Sequence, residues 1–283
     1  MTNASPASAA SPQPEHQTRD GGATACLRRL EREHDACVGA FAHNLATGAT
    51  VLHRAHDRFP LLSVFKTLAA AAVLRDLDHN GETLSRRVRY TNDDLIPNSP
   101  ITSEHLATGM TIGELCDAAI RYSDNAAANL LLKELGGPTA ITRFCRSTGD
   151  MTTRLDRREP ELNSSEPWRI TDTTTPYAIG RTYRNLVLGT ALEPCDRARL
   201  TDWLLHNTTS GERFRAGLPK DWTLADKTGT GASYGTCNDV GIAWTADGTP
   251  IVLAVLTRKP HPSQTGDNPL IAKTAAVLAS AVG

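Results

Sequence analysis

The sequence has no excess of charge of either sign, no long apolar run and no closely spaced cysteine pair, and each absence removes a class of protein. Thirty Lys and Arg stand against 31 Asp and Glu in 283 residues, a net charge of −1. Nucleic-acid binding calls for a basic stripe. Here Arg28-Arg29, Arg86-Arg87 and Arg157-Arg158 are scattered and mixed with acids, so no polyanion or nucleic-acid partner is expected. The longest apolar run, Leu68-Ala-Ala-Ala-Ala-Val-Leu74, falls well short of the roughly 18 residues of a membrane span. Met1 to Ala23 has neither a basic start nor an apolar core, so it does not read as a secretory signal. Cys26, Cys37, Cys116, Cys145, Cys195 and Cys237 form no C-x-x-C pair, which removes zinc-ligand spacing. Their even number permits disulfides without requiring them. The nine histidines show no H-x-x-x-H pairing, and no G-x-G-x-x-G or Walker pattern precedes a helix. No metal and no cofactor are expected.

With 40% hydrophobic and 22% charged residues, the chain reads as a soluble globular protein of one large domain or two lobes. Residues 1–24, rich in Ala, Ser and Pro, are expected to be disordered, with a helix from Cys26 to Asp35. Val38 to Leu45 and Ala49 to His53 flank Ala46-Thr-Gly48 and predict a β-hairpin. Ser63 begins a helix that continues to Leu77. Helical signals then dominate to about His206, including a capping box at Thr111-Ile-Gly-Glu114. Trp222 to Ala225, Asp239 to Trp244 and Pro250 to Leu256 are β-type runs, and an alanine-rich helix closes the chain from Pro269 to Val282. The pattern predicts an α/β (α+β) fold with one antiparallel sheet built from both chain ends. Residues 25–56 and 207–283 would form the α/β lobe. Residues 57–206 would form an inserted all-helical lobe, with a cleft between the two.

Four short pieces carry chemistry. Ser63-Val-Phe-Lys66 places a hydroxyl and an amine at i and i+3 on one helix face, about 5–6 Å apart at Cβ. A serine is a weak nucleophile until a neighbour takes its proton, and a lysine does so only once burial or nearby positive charge lowers its pKa. Ser123-Asp-Asn125 interrupts two helical runs, so its side chains reach a corner of the cleft. Lys227-Thr-Gly229 follows a strand and precedes a glycine turn, which would bring a second ammonium towards Lys66. Between them lies a polar stretch, residues 157–172, containing Glu159-Pro-Glu-Leu-Asn163. Loops of that length are often functional, and this one carries a carboxylate and an amide able to hold a water.

In this order the pieces resemble the S-x-x-K, S-D-N and K-T-G set of class A serine β-lactamases and penicillin-binding proteins. The resemblance to class A covers roughly residues 25 to 283 and implies a β-lactamase/transpeptidase-like fold. It implies that Ser63 forms an acyl-enzyme beside Lys66, that Ser123 passes a proton to the leaving nitrogen, and that Glu159 activates a catalytic water anchored by Asn163. Whether Lys66 or Glu159 deprotonates Ser63 stays open. Asn125 would hold the substrate's side-chain amide, and Lys227, Thr228 and Gly229 would meet its carboxylate. The backbone N–H groups of Ser63 and Thr230 would form the oxyanion hole. Arg157 and Asp172 match an ion pair that closes the loop.

Several positions depart from common members. Thr236 stands where many relatives place a carboxylate-binding arginine, and Arg213 resembles the substitute used by a subgroup, a better bidentate partner for carboxylate than lysine. Leu62 and Gly231 hold positions where relatives with broad carbapenem activity have a disulfide. Asn98 replaces an aromatic at the cleft mouth. The implied activity is hydrolysis of penicillins and some cephalosporins by a monomer, secreted or periplasmic as relatives are, conferring antibiotic resistance. The alternatives are a D-alanyl-D-alanine peptidase or transpeptidase, which lacks a base for water, and a non-hydrolytic β-lactam sensor.

Overall fold

A computed structural model of the chain describes residues 17–283, with the side chains of 17–20 outside the description. Helix α1 (Gln17–Glu33) begins inside the stretch 1–24 that composition reads as disordered. Residues 1–16 of that stretch lie outside the described residues. Gly21 and Gly22 are poor helix formers, but Ala23, Leu27 and Leu30 bury one face of α1, and packing overrides propensity.

Strands β1 (Cys37–Asn44) and β2 (Thr50–His53) form the expected hairpin. A turn at Leu62–Val64 leads into helix α2 (Phe65–Ala72), every residue of which is buried. Helix α3 (Ile112–Arg121) starts at the Thr111/Glu114 capping box. Asp124 caps helix α4 (Asn125–Glu134) by accepting the Ala127 amide, and the Gly136-Gly137 turn ends it. Helices α5 (Thr139–Ser147), α6 (Pro176–Val187) and α7 (Pro194–Leu205) follow. The chain then returns to the sheet as β3 (Thr223–Thr230), β4 (Cys237–Trp244) and β5 (Pro250–Arg258), and ends in helix α8 (Asn268–Val282).

The five-stranded sheet has the order β2-β1-β5-β4-β3, every pair antiparallel, so strands from both chain ends make one layer. Its two faces fill two cores, because successive strand residues point to opposite sides. Val252, Ala254 and Leu256 join Phe65, Leu68, Ile179 and Tyr183 on the side of α2 and α6. Ile251, Leu253 and Val255 join Leu27, Leu270 and Leu278 on the side of α1 and α8. Lys227-Thr-Gly229 lies within β3 rather than after it, since β3 runs on to Thr230 in pairing with Cys237. All six cysteines are free thiols. Among the described residues, no helix is long and apolar enough to cross a membrane.

Candidate active site

The segment leading to Ser63 is fastened from three sides. Asn238 Nδ2 donates to Pro60 O at 2.8 Å, the Leu61 amide donates to Asp172 O at 2.8 Å, and the Tyr183 hydroxyl bonds Val64 O at 3.0 Å. Leu62, just before the serine, holds φ of 53°, a left-handed conformation that a side-chain-bearing residue keeps only where its surroundings enforce it. Strand β3 passes close by. A Cβ on Gly229 would lie 2.8 Å from Leu62 Cβ and 3.3 Å from the Ser63 amide nitrogen, so only glycine lets the strand approach so near.

Lys66 is fully buried, and its Nζ donates to Asn125 Oδ1 at 2.6 Å, Ser123 O at 2.8 Å and Ser123 Oγ at 3.3 Å. It also lies 3.2 Å from Glu159 Oε1. The same Oε1 accepts a hydrogen bond from Ser63 Oγ at 3.2 Å. The hydroxyl therefore contacts the carboxylate, while the ammonium's hydrogen bonds among the described residues go elsewhere than Ser63 Oγ. Burial pushes the Lys66 ammonium below the usual lysine range, and the charges of Glu159 and Asp124 hold it up. The leading cause is thus desolvation rather than Lys227. For Lys227, also fully buried, burial and then the Lys66 charge push in the same direction, against Asp226.

Ser123 occupies the corner between α3 and α4 with φ of 56°. Asn125 is engaged at both ends, its Oδ1 by Lys66 and its Nδ2 by Pro97 O at 2.9 Å. Across the cleft, Lys227 Nζ donates to Thr228 O at 2.9 Å, and Thr228 Oγ1 bonds Thr209 Oγ1. Arg213 enters from the turn before Phe214 and is nearly buried. Its guanidinium donates to Gly229 O at 2.7 Å, Asn238 O at 2.9 Å, Thr230 Oγ1 at 2.6 Å and Asn268 Oδ1 at 2.7 Å.

The loop 157–172 is closed by Arg157 Nε and Asp172 Oδ2 at 2.6 Å, and Asp172 Oδ1 accepts the Asp156 and Arg157 amides. Asn129 of α4 clamps both backbone groups of Glu159, accepting its N–H at 3.0 Å and donating to its C=O at 2.8 Å. Asn163 Nδ2 donates to Glu159 Oε2. Among the described residues the buried Asn163 Oδ1 has no hydrogen-bond partner. Thr236 is buried and bonds Ser165 Oγ at 2.9 Å, so it fastens the loop to the β3–β4 turn instead of facing the cleft.

One cavity of about 360 Å³ is lined by Ser63, Ser123, Asn125, Asn163, Arg213, Thr228, Gly229 and Thr230, together with Asn98, Tyr122 and Thr209. Lys66, Glu159 and Lys227 lie buried behind this lining, and Arg157 and Asp172 stand at the loop's neck. The motifs did not point to Thr209, Asn129, Tyr183 or Asn238. Asn129 sits one helical turn after Asn125, the signal that could have marked it. Among the described residues, no group of three His, Cys, Asp or Glu is placed to hold a metal ion.

A serine hydroxyl, two buried lysines and a carboxylate around one cleft suit acyl transfer followed by hydrolysis, and known proteins agree. The profile of the β-lactamase enzyme family matches residues 23–282. A β-lactamase from Streptomyces cellulosae is 66% identical over 90% of this chain and 83% of its own length. The carbapenem-hydrolyzing β-lactamase KPC of Klebsiella oxytoca is 47% identical over 90% of this chain and 87% of its own. The solved structure of the β-lactamase from Streptomyces albus G superposes with a TM-score of 0.91 at 58% identity, covering 93% of this chain and all of that one. With its profile matched along almost its whole length, the chain belongs to the β-lactamase enzyme family as a class A serine enzyme that hydrolyses β-lactams.

Proposed function

We propose that Ser63 attacks the lactam carbonyl, that Glu159 serves as general base in both half-reactions, and that penicillins and some cephalosporins are the substrates. The observation that carries this reading is the convergence of Ser63 Oγ and Lys66 Nζ on Glu159 Oε1, each at 3.2 Å. In acylation the Ser63 proton passes to Glu159, its nearest acceptor, as Oγ bonds to the carbonyl carbon. The lactam C–N bond then breaks, and the nitrogen takes the Ser123 proton, which Lys66 replaces across 3.3 Å. The Ser63 and Thr230 N–H groups stabilise the oxyanion, a reading supported by the approach of β3 to the Ser63 amide. One such donor is worth ~10²–10³ in kcat.

In deacylation a water sits between Glu159 and Asn163. The orphaned Asn163 Oδ1 supports this role, since it needs a donor and its own Nδ2 is already committed to Glu159. Glu159 first passes the proton it took from Ser63 to the neutral Lys66 across 3.2 Å. The water then attacks the ester carbon, Glu159 takes its proton, and that proton goes to Ser63 Oγ across 3.2 Å as it leaves. Lys227, Thr228 and Arg213 meet the substrate carboxylate, with Gly229 allowing the close approach, and Asn125 is placed for the side-chain amide. Arg157 and Asp172 hold the loop that carries the base. Every group comes from one chain, so the site needs no second copy and suits a monomer; a secreted or periplasmic location rests on the family resemblance alone. Carbapenems are left out of the proposal because Leu62 and Gly231 cannot form a cross-link.

A nitrocefin colour assay combined with intact-protein mass tests the reading. Ser63→Ala should abolish turnover and acylation. Glu159→Gln should slow acylation and accumulate the penicilloyl adduct, as loss of a general base worth ~10²–10⁴ requires. Normal turnover by Glu159→Gln would end the proposal. Unchanged acylation with a trapped ester would assign acylation to Lys66 and leave Glu159 only the second step. A wild type that acylates once and stalls would favour the peptidase, and binding without acylation would favour the sensor.

A further inference from the structure

Where β1 begins and β5 ends, helix α1, the end of β5 and Pro167 of the 157–172 loop border a second cavity of about 720 Å³. Arg28, Arg32, Arg54, Arg258 and Lys259 line it, against Glu31 and Asp35. Five cations thus face two carboxylates around one concavity, in a chain whose net charge is −1. Part of this charge is already balanced. Glu31 Oε1 accepts Arg54 Nε at 2.7 Å, and Lys259 Nζ lies 2.9 Å from Asp267 Oδ2. Arg28, Arg32 and Arg258 make no ion pair among the described residues.

Those three guanidinium groups come from separate parts of the chain. Arg28 and Arg32 are exposed and one turn apart on the same face of α1. Arg258, at the end of β5, lies opposite Cys37 in the strand register, with its guanidinium 5.4 Å from the Phe59 ring centre. Scattered in sequence, the arginines give no basic stripe; the fold gathers them. Holding like charges around a low-dielectric concavity raises the local potential and concentrates counter-ions there. Guanidinium forks match phosphate oxygens bidentately, which a lysine cluster would not do.

We propose that this groove is a binding site for an anion carrying more than one phosphoryl group. Arg28, Arg32 and Arg258, set against Asp35, leave about two positive charges in excess, spread over separate parts of the groove. That suits an anion with phosphoryl groups at more than one point, and the volume lies within the range of small-ligand sites. Pro167 also lines the cavity, so the ligand would touch the loop that carries Glu159.

Calorimetric titration of the full chain with sodium tripolyphosphate in about 0.15 M salt, where weak surface attraction is largely screened, tests the site. Saturable binding is expected, about tenfold or more tighter than for inorganic phosphate, and weakened about tenfold or more in R28Q/R32Q and in R258Q. Arg28 and Arg32 are surface residues far from the cleft, so unchanged nitrocefin turnover by R28Q/R32Q shows that the fold is retained. Sedimentation with phosphatidylcholine vesicles containing phosphatidylglycerol separates the sources of phosphate. Vesicle binding lost in R28Q/R32Q assigns a lipid headgroup, and tripolyphosphate binding alone assigns a free anion. Binding of neither, or equal affinity in wild type and both variants, overturns the proposal.

Discussion

Helix α2 and the 157–172 loop meet at Lys66 and Glu159, yet opposite forces hold them. All eight residues of α2 are buried, six of them Phe, Leu or Ala, and Phe65 and Leu68 sit in the core that the helices share with the sheet. The loop has almost no apolar anchor besides Leu162. It is fixed by the Arg157–Asp172 pair, the Asn129 clamp, the Ala232 amide on Asn163 O at 2.9 Å, and the Ser165–Thr236 contact. Apolar packing is non-directional and shared over many atoms, whereas each polar clamp sets one direction at one atom. The nucleophile therefore rests on the core of the fold, and the base proposed for both steps rests on a few replaceable contacts.

Leu68→Ala attacks the first half. It opens a cavity in the most buried helix and should cost about 2–5 kcal/mol of stability. Denaturant unfolding reads that loss. Stopped-flow measurements on the folded fraction should show acylation and deacylation reduced by the same factor. A selective loss of deacylation would break the comparison.

Asp172→Ala attacks the second half and should cost less, about 1–3 kcal/mol, because Arg157 is partly exposed and water replaces some of what is lost. Its functional effect should be large beside that loss of stability. Acylation and deacylation should each fall about tenfold or more, since Glu159 serves both steps and a 1 Å displacement is enough for such losses. Asp172 O also holds the Leu61 amide through the main chain, which the substitution leaves in place. Unchanged rates in both steps would mean that the other loop contacts hold Glu159 without the ion pair.

Arg213→Ala acts on the cleft wall opposite both. The guanidinium has five protein acceptors, four oxygens and Cys237 Sγ, and still lines the cavity. KM for a penicillin should rise about tenfold with kcat nearly kept, the expected size of one charge-assisted contact. Steady-state kinetics checks it, and a fall in kcat alone would remove Arg213 from substrate binding.

This contrast also explains what the sequence made legible. Ser63, Lys66, Ser123 and Lys227 announce themselves because nucleophile and amines sit at fixed short spacings, and Glu159 with Asn163 because one polar loop carries both. The sheet was readable from β-type runs at both ends of the chain. Asn129, Tyr183 and Asn238 were not, because each acts on a residue far along the chain: Asn129 on Glu159, Tyr183 on Val64, Asn238 on Pro60. A lone Asn or Tyr in a helix or strand carries no mark of such a partner. The start of α1 at Gln17 was hidden for a related reason, since its stability comes from packing on α8 and not from its own glycine-containing sequence.

The smallest effect concerns the floor of the cleft, where polar and apolar fixation meet. Asp226 and Asp239 lie fully buried on β3 and β4 behind Lys227. Burial raises both carboxyls above the usual aspartate range, and for Asp239 the Asp226 charge adds to it. A carboxyl raised in the folded state keeps a proton that the unfolded chain has released. Its stabilisation is complete below the unfolded value of about 3.9 and is lost as pH rises through the folded value. Asp239→Asn cannot ionise, yet its Oδ1 can still accept the Phe214 amide that Asp239 Oδ2 accepts at 3.1 Å. The variant should therefore lose part of the decline in stability from about pH 4 towards the alkaline side. Each kcal/mol removed from that slope corresponds to about 2–4 °C in Tm for a domain of this size class. Thermal unfolding from pH 4 to 9 measures it. An unchanged slope would place the titration elsewhere, and a steeper one would show that the Asp239 proton, rather than its burial, is what the floor requires.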